Sequence, residues 1–368
     1  MTTETILSVA SHFALGGVPA AVKELTAGNI NATYRLDMGE TAATPRYILQ
    51  RINTAAFKDP VSLMENIGLV TAHIRESYTA EGVDPTRRVL TFVQADNGTL
   101  LYTDPEGGAW RCYVYVDNVT AYNAIESAEL FREAGVGFGE FQTRLADFPA
   151  EKLTETIPGF HNTATRYDTF LKALEEDAAG RADSIPEDVA FFRARADLAH
   201  AIVSKLGDPD RLPLRVTHND TKLNNVLIDN ETGKALCVID LDTVMPGSSL
   251  YDYGDAVRYG ACTAAEDEPD TSKIGFDMGL FKAFTEGFVS ATAGNLTETE
   301  IKLLPLGIAV ITYELAMRFM TDYLNGDVYF KTAYEGHNLV RARAQMKLLT
   351  EVEANLPEMY AFVESLLS

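Results

Sequence analysis

Within the stretch VTHNDTKLNNVLID, Val216 to Asp229, residues 218–225 set one histidine, one aspartate, one lysine and three asparagines between two largely apolar flanks. The flanks read as short strands, and a second strand, ALCVID, follows the turn residues NETG. If NETG closes a hairpin, Asp229 lies opposite Lys234 and Asp240 returns to about the level of Leu223. That register predicts that Asp240 comes close to Asn225, on the loop that also carries Asp220. Two carboxylates and a carboxamide then converge, a set of hard oxygen donors that suits a divalent cation.

His218, Asp220 and Asn225 form an H-x-D-x-x-x-x-N pattern. Phosphoryl transfer needs these parts: a carboxylate to orient the attacking hydroxyl and take its proton, an amide oxygen and a second carboxylate to hold magnesium on the nucleotide, and a cation near the transferred group. Asp220 suits the first role, Asn225 and Asp240 the second, and Lys222 the third. His218 reads as a buttress of the loop. Three fixed positions alone recur by chance in roughly one or two chains per hundred of this length. The following hairpin, VIDLD and the strand-rich upstream third set the loop apart from a merely solvated one.

A chain of 368 residues is too long for one small core, so two lobes are expected. The net charge of −22 disfavours nucleic acid or an anionic membrane as partner. A nucleotide, its phosphates neutralised by metal, remains compatible. Three cysteines without CxxC spacing read as free thiols in a reducing compartment. The N-terminal MTTETILSVASHFALGG lacks a basic n-region and reads as an amphipathic helix. LLPLGIAVITYELAM, interrupted by Pro305 and Glu314, reads as too short to span a bilayer. A cytoplasmic protein, by default a monomer, is the expectation.

Along the chain, NATYRLDM, RYILQRI, RRVLTFV, GTLLYT and AWRCYVYV read as strands, with a helix over 60–81 and a hairpin turn at Gly107-Gly108. After Asp117 the pattern turns helical: 124–145, 167–176 and 186–206 are the clearest stretches. The fold class is therefore α+β: a small β-rich N-lobe (1–117) that binds nucleotide and a larger, mainly helical C-lobe (118–368) with the catalytic loop. A crevice between such lobes is a natural ligand site.

HNDTKLNN followed by VIDLD resembles the aminoglycoside phosphotransferase and choline kinase type of small-molecule kinase, relatives of protein kinases. ASHFALGG, NINATY, RYILQRIN, GGAWRCYVYV, FREAGVGFGEFQ, VIDLDTVMPGS, MRFMTDYLNGDVYF and HNLVRARAQMKL extend the likeness nearly end to end, to the bacterial N-acetylhexosamine 1-kinases. The resemblance implies a bilobal protein-kinase-like fold and transfer of the ATP γ-phosphate, with Mg2+, to the anomeric hydroxyl of N-acetylglucosamine or N-acetylgalactosamine. It implies Asp220 as general base on the bound sugar and Asn225 and Asp240 as metal ligands. It also implies Arg318 and Tyr329 as sugar contacts, an arginine and a tyrosine offering fixed donors and a ring face. The bland alternatives are an Arg318–Asp322 pair at i, i+4 and a core tyrosine.

The third strand, YILQRIN, departs from the kinase pattern in having no phosphate-holding lysine. Arg51 can replace it, oriented by Glu65, but alternation puts Gln50 and Arg51 on opposite faces and leaves open which faces the phosphates. GNINATY has one glycine, so Asn29 and Asn31 stand in as side-chain donors to the nucleotide. Tyr115, in YVYVDN, lies where backbone groups would meet the adenine. Asp252 and Asp255 read as structural: either can tie the catalytic loop down by accepting backbone N–H bonds, or Asp255 can simply pair with Arg258. Asp242, two residues beyond Asp240 on an extended strand, would reach a second metal. Another acceptor (a different hexose, homoserine, choline, an aminoglycoside) and an inactive nucleotide-binding module are the competing readings. A cationic acceptor calls for carboxylates or an aromatic cage, whereas MRFMTDYLNGDVYF supplies an arginine.

Overall fold

The computed structural model describes residues 1–26, 30–39, 44–292 and 294–367. The chain forms two compact units that are not consecutive in sequence. The first comprises Met1–Thr120, Lys152–Ile157 and Leu227–Met245; the second comprises Ala121–Glu151, Pro158–Val226 and Pro246–Ser368.

In the first unit α1 (Thr3–Ala10) starts at Thr2, whose hydroxyl accepts from Thr5 N–H. Strands β1 (Ala21–Leu25), β2 (Ala32–Asp37) and β3 (Arg46–Arg51) precede α2 (Pro60–Ala80), where Asp59 caps Ser62 N–H and Pro60 sits in the first turn, a position that asks for no N–H. Then come β4 (Phe92–Val93), β5 (Tyr102–Thr103) and β6 (Ala109–Val114). They build one antiparallel sheet in the order β1-β2-β3-β6-β4, with β5 on β6. Leu36, Leu49, Trp110 and Cys112 alternate into its core against Ile6, Val9 and Phe13 of the N-terminal segment. The Gly107-Gly108 turn forms as expected: Gly107 has φ 84°, and Asp104 accepts from Gly108 N–H and from Trp110 Nε1 at 2.7 Å. RRVLTFV contributes only its last two residues, because Arg88 and Val89 N–H turn back onto Pro85 O.

The NETG hairpin is also present, with strands Val226–Asp229 and Ala235–Val238, and Val119–Ala121 pairs as a third strand. Asp229 N–H donates to Lys234 O at 2.9 Å, the register read from the sequence. Its carboxylate accepts from Glu231 and Thr232 N–H, and Arg87 pairs with it at 2.9 Å.

The second unit is helical: α3 (Ala128–Arg144), α4 (Thr163–Glu176), α5 (Pro186–Arg193), α6 (Ala196–His200), α7 (Ser249–Gly260), α8 (Met278–Thr292), α9 (Glu298–Lys302), α10 (Leu304–Leu324) and α11 (His337–Ser365). The expected single helix over 186–206 is broken, because Arg195 leaves helical geometry (φ −117°, ψ 19°) and its guanidinium binds Glu353 of α11. The glycines of AGVGFGE serve packing. A Cβ at Gly135 would run into Phe284 O of α8, and one at Gly139 would lie 2.7 Å from Phe288 O. α3 and α8 therefore approach backbone to backbone. Helix α10 is longer than its apolar stretch suggested: Pro305 starts the helix rather than interrupting it, and 21 residues result. That length and composition would suffice to cross a bilayer, but 78% of the apolar window is buried inside the protein, against α4, α7 and α11. It is a core helix.

Candidate active site

The loop 218–225 is held by an aspartate. Asp252, buried in α7, accepts from His218 N–H at 2.8 Å and from Asn219 N–H at 2.7 Å, and its backbone carbonyl accepts from Thr221 Oγ1 at 2.7 Å. Gln142 of α3 bridges Asp252 Oδ2 and Val216 O, both at 3.0 Å. Burial pushes the Asp252 carboxyl above its ordinary value, against the opposing pull of His218 and of the two loop N–H groups. Asn219 takes the left-handed conformation, φ 63°, that turns the chain toward Asp220. His218 is fully buried between Phe138 and Phe141, and its Nδ1 accepts from Asp220 N–H at 3.2 Å. It buttresses the loop as its sequence context suggested. Asp255 pairs with Arg258 at 2.9 Å, also as expected; burial works to raise its carboxyl, but Arg258 holds it below the usual range.

The clamp presents Asp220 with both carboxylate oxygens addressed. Lys222 Nζ lies 2.7 Å from Oδ1, and Asn225 Nδ2 donates to Oδ2 at 3.2 Å and to Asp220 O at 2.8 Å. Asp220 and Lys222 are partly open to solvent, their side chains 24% and 51% exposed. With its amide nitrogen committed, Asn225 has its carbonyl oxygen left as a donor to a cation; among the described residues nothing bonds to it.

In the first unit Asp240 ends the hairpin in the left-handed region, φ 61°, and Leu241–Thr243 is a 3-10 turn. Asp242 is consequently not on an extended strand, contrary to the sequence reading. It is buried, its carboxylate ion-paired with Arg111 of β6 and accepting from Asn31 Nδ2 at 2.6 Å. Asn31 Oδ1 in turn accepts from Asn53 N–H at 2.9 Å. Asn29 lies outside the described residues. No cluster of three or more His, Cys, Asp or Glu suited to a metal occurs among the described residues. By donor chemistry alone, an amide oxygen such as that of Asn225 and a carboxylate such as that of Asp240 are ligand types that magnesium accepts.

Register separates Gln50 from Arg51. Gln50 stands opposite Arg111 and bonds it at 2.9 Å, so Gln50 and Arg111 share a face with Asp242. Arg51 stands opposite Trp110, its guanidinium 6.0 Å from that ring and near the Asp104 carboxylate. Glu65 is exposed on α2 and does not pair with Arg51; the buried side chain of that turn is Asn66, bonded to Thr154 and Val244 backbone. Arg111 was missed in the sequence, where an arginine inside AWRCYVYV gave no sign of a buried partner in the later DLD. Tyr115 is half-buried, its N–H donated to Arg46 O and its ring 5.0 Å from the Arg46 guanidinium.

Arg318 and Tyr329 are brought together in the second unit. With Arg166, Asp322, Val328 and Phe330 they line a cavity of about 280 Å³. Neither bland alternative holds. Tyr329 is 71% exposed, and Arg318 makes no ion pair with Asp322. Asp322 instead accepts from the N–H groups of Val328, Tyr329 and Phe330 and from Asn338 Nδ2, at 2.8–2.9 Å, which fixes the loop after α10. The Arg318 guanidinium stands over Phe160 and Phe330, 5.8 and 5.5 Å from their centroids. Beneath it Glu314 is buried, bonded to His161 at 2.9 Å and Thr163 at 2.8 Å. Burial would raise that carboxyl, but His161, Arg318 and Thr163 hold it below its usual value. Arg166, His161 and Glu314 were not singled out from sequence. Glu314 alone gave a signal, as the one acid inside the apolar stretch 303–317.

A model of the phosphotransferase enzyme family matches residues 21–276, more than half of the chain. Among solved structures, a microcompartment-associated aminopropanol kinase is 18% identical, covering 97% of this chain and 98% of that one, with TM-score 0.61. A spectinomycin phosphotransferase in complex with ADP and spectinomycin is 11% identical over 96% and 99%, TM-score 0.57. A choline/ethanolamine kinase family protein from Mesorhizobium loti is 16% identical over 96% and 100%, TM-score 0.56. The kinase-like α+β fold expected from the sequence is the fold of these neighbours, an antiparallel sheet in the N-terminal region and helices in the C-terminal one. The chain belongs to the phosphotransferase enzyme family.

Proposed function

We propose that the protein transfers the ATP γ-phosphate to the anomeric hydroxyl of N-acetylglucosamine or N-acetylgalactosamine, giving the sugar 1-phosphate and ADP. The family and the clamped Asp220 loop support phosphoryl transfer. One observation supports a neutral acceptor: the Arg318–Tyr329 cavity offers two guanidiniums, while both oxygens of its acidic residue Asp322 are taken by protein donors. An ammonium-bearing acceptor, such as the amino alcohols and aminoglycosides named for the structural neighbours, finds no open carboxylate there; sugar hydroxyls and an acetamido oxygen find N–H donors. The choice of the 2-acetamido sugar and its anomeric position follows the sequence resemblance.

The anomeric hydroxyl is a favourable nucleophile, since the ring oxygen withdraws electron density and makes it more acidic than an ordinary alcohol. In the reaction its oxygen bonds to the γ-phosphorus as the bond to the β,γ-bridging oxygen breaks. The hydroxyl proton passes to Asp220, and ADP leaves. Asp220 acts chiefly by orientation, which its clamp supplies. Lys222, on Asp220 Oδ1, would support charge on the transferred group. Asn225 and Asp240 would hold magnesium, which neutralises the phosphates when bound. Asn31 and Tyr115 are assigned to the nucleotide; Arg111, not Arg51, is the cation on the face of Asp242, because Arg51 lies on the opposite face of β3 over Trp110.

Steady-state ADP release from MgATP tests the acceptor class, using both N-acetylhexosamines, glucose, choline, a small amino alcohol and kanamycin. Turnover with the N-acetylated sugars alone is expected. Turnover confined to the cationic acceptors would sink the neutral-acceptor reading.

A further inference from the structure

Arg166 on α4 and Arg318 on α10 present a set of hydrogen-bond donors that the protein leaves unused. Arg166 gives one nitrogen to Phe160 O at 3.2 Å, but its buried Nε has no acceptor. Arg318 makes no hydrogen bond among the described residues; its guanidinium lies 5.8 and 5.5 Å from the Phe160 and Phe330 ring centroids. The negative groups nearby are committed elsewhere: Asp322 to three backbone N–H groups and Asn338, Glu314 to His161 and Thr163. A buried donor without an acceptor is costly, and two guanidiniums side by side in a chain of net charge −22 require a reason. Burial, and after it the charge of Arg318, hold Arg166 below its ordinary value, as expected where the cation is under-neutralised.

We propose that Arg166 and Arg318 form an oxyanion subsite, taking a phosphate or carboxylate group on a small ligand. A tetrahedral or planar oxyanion supplies several acceptor oxygens to paired guanidinium forks, which a single carbonyl does not. The cavity, at about 280 Å³, has room for a small ester as well as for the free ion. Because Arg318 and Tyr329 are also the assigned acceptor contacts, such a ligand competes with the acceptor. That competition rests on the proposed function; the binding itself does not.

The test is calorimetric titration of the full chain, its nucleotide site filled with MgADP, with inorganic phosphate, N-acetylglucosamine 1-phosphate and acetate. Binding of at least one is expected, weakened roughly ten-fold or more in Arg166→Gln and again in Arg318→Gln. Loss for free phosphate or acetate identifies the oxyanion as ligand; loss for the ester alone, the product of the proposed reaction, would reflect its sugar's contact with Arg318 and overturn the proposal. MgADP affinity and the thermal melt of each variant certify its fold, and Arg166→Lys, which keeps charge but not the fork, should recover only part of the affinity. Equal affinity in wild type and both glutamine variants, or no binding of any of the three, overturns the proposal. In turnover assays phosphate should raise the acceptor KM and leave that for MgATP unchanged. An acceptor KM that does not move, beside intact Arg166-dependent binding, would count against the acceptor assignment and leave the subsite standing.

Discussion

Asp252→Asn replaces one carboxylate oxygen of the loop clamp by an NH2 group. In its better orientation the asparagine keeps an oxygen toward His218 N–H and Gln142 and turns its NH2 toward Asn219 N–H, which in the native protein lies 2.7 Å from Oδ1. A charge-assisted hydrogen bond is lost and a part-buried donor is left facing a donor, about 3–5 kcal/mol together. Removing a buried charge returns some of this, leaving about 2–4 kcal/mol. The loss is local, so amide hydrogen exchange reads it better than global unfolding does. Protection at His218 and Asn219 should fall roughly 30- to 1000-fold, at about 1.4 kcal/mol per factor of ten, while Trp110 and Cys112 amides in the first unit stay protected. Turnover should fall too, because Asp220 follows Asn219 directly. Unchanged protection of the two loop amides would refute the clamp as the source of the loop's order.

Asp220→Asn should lose roughly 10²–10⁴ in kcat with little change in MgATP affinity; near-normal turnover would contradict its assignment as base. Arg111→Met leaves Asp242 buried without its cation and should cost about 3–5 kcal/mol in urea unfolding of the first unit, whereas Arg111→Met with Asp242→Asn should recover much of that; a double variant no more stable than the single one would show that the pair is not the cause. Asp229 is held below the usual carboxylate range, first by Thr232 N–H, then by Glu231 N–H and Arg87. Because its folded value is lowered, its stabilisation is complete above the unfolded value of about 3.9 and is lost as pH falls through the folded one. The melting-temperature gap between wild type and Asp229→Asn should therefore be open at neutral pH and close as pH falls through the lowered folded value; a gap independent of pH would rule out the charge. Arg318→Met should raise the KM for an N-acetylhexosamine roughly ten-fold or more and leave that for MgATP unchanged.

The loop 218–225 was legible because its own polar residues are close in sequence. The H-x-D-x-x-x-x-N spacing and the NETG turn fix Asp220, Lys222, Asn225 and the Asp229–Lys234 register locally, and periodicity fixes β2, β3, β6 and α2. What sequence could not convey were pairings decided by packing over long separations. Arg111 finds Asp242 because Gln50 and Arg111 are register partners and Leu241–Thr243 tightens into a 3-10 turn, neither of which shows in local composition. The same turn removes Asp242 from the extended geometry that alternation suggested. Arg318 and Tyr329 were placed by resemblance, but Arg166, distant in sequence, joins their cavity only through the folding of α4 beside α10. Helix α10 was misjudged in length because a proline in a first turn starts a helix as readily as a proline elsewhere ends one.

The bond that forms separates an anomeric kinase from every competing chemistry, and phosphorus NMR of the product made from MgATP and N-acetylglucosamine observes that bond. Transfer to the anomeric oxygen predicts a phosphate monoester resonance split by coupling to the anomeric proton, formed with ADP in equal amount and absent with Asp220→Asn. A phosphate coupled instead to the 6-methylene protons, or ADP released without any sugar ester, would contradict it.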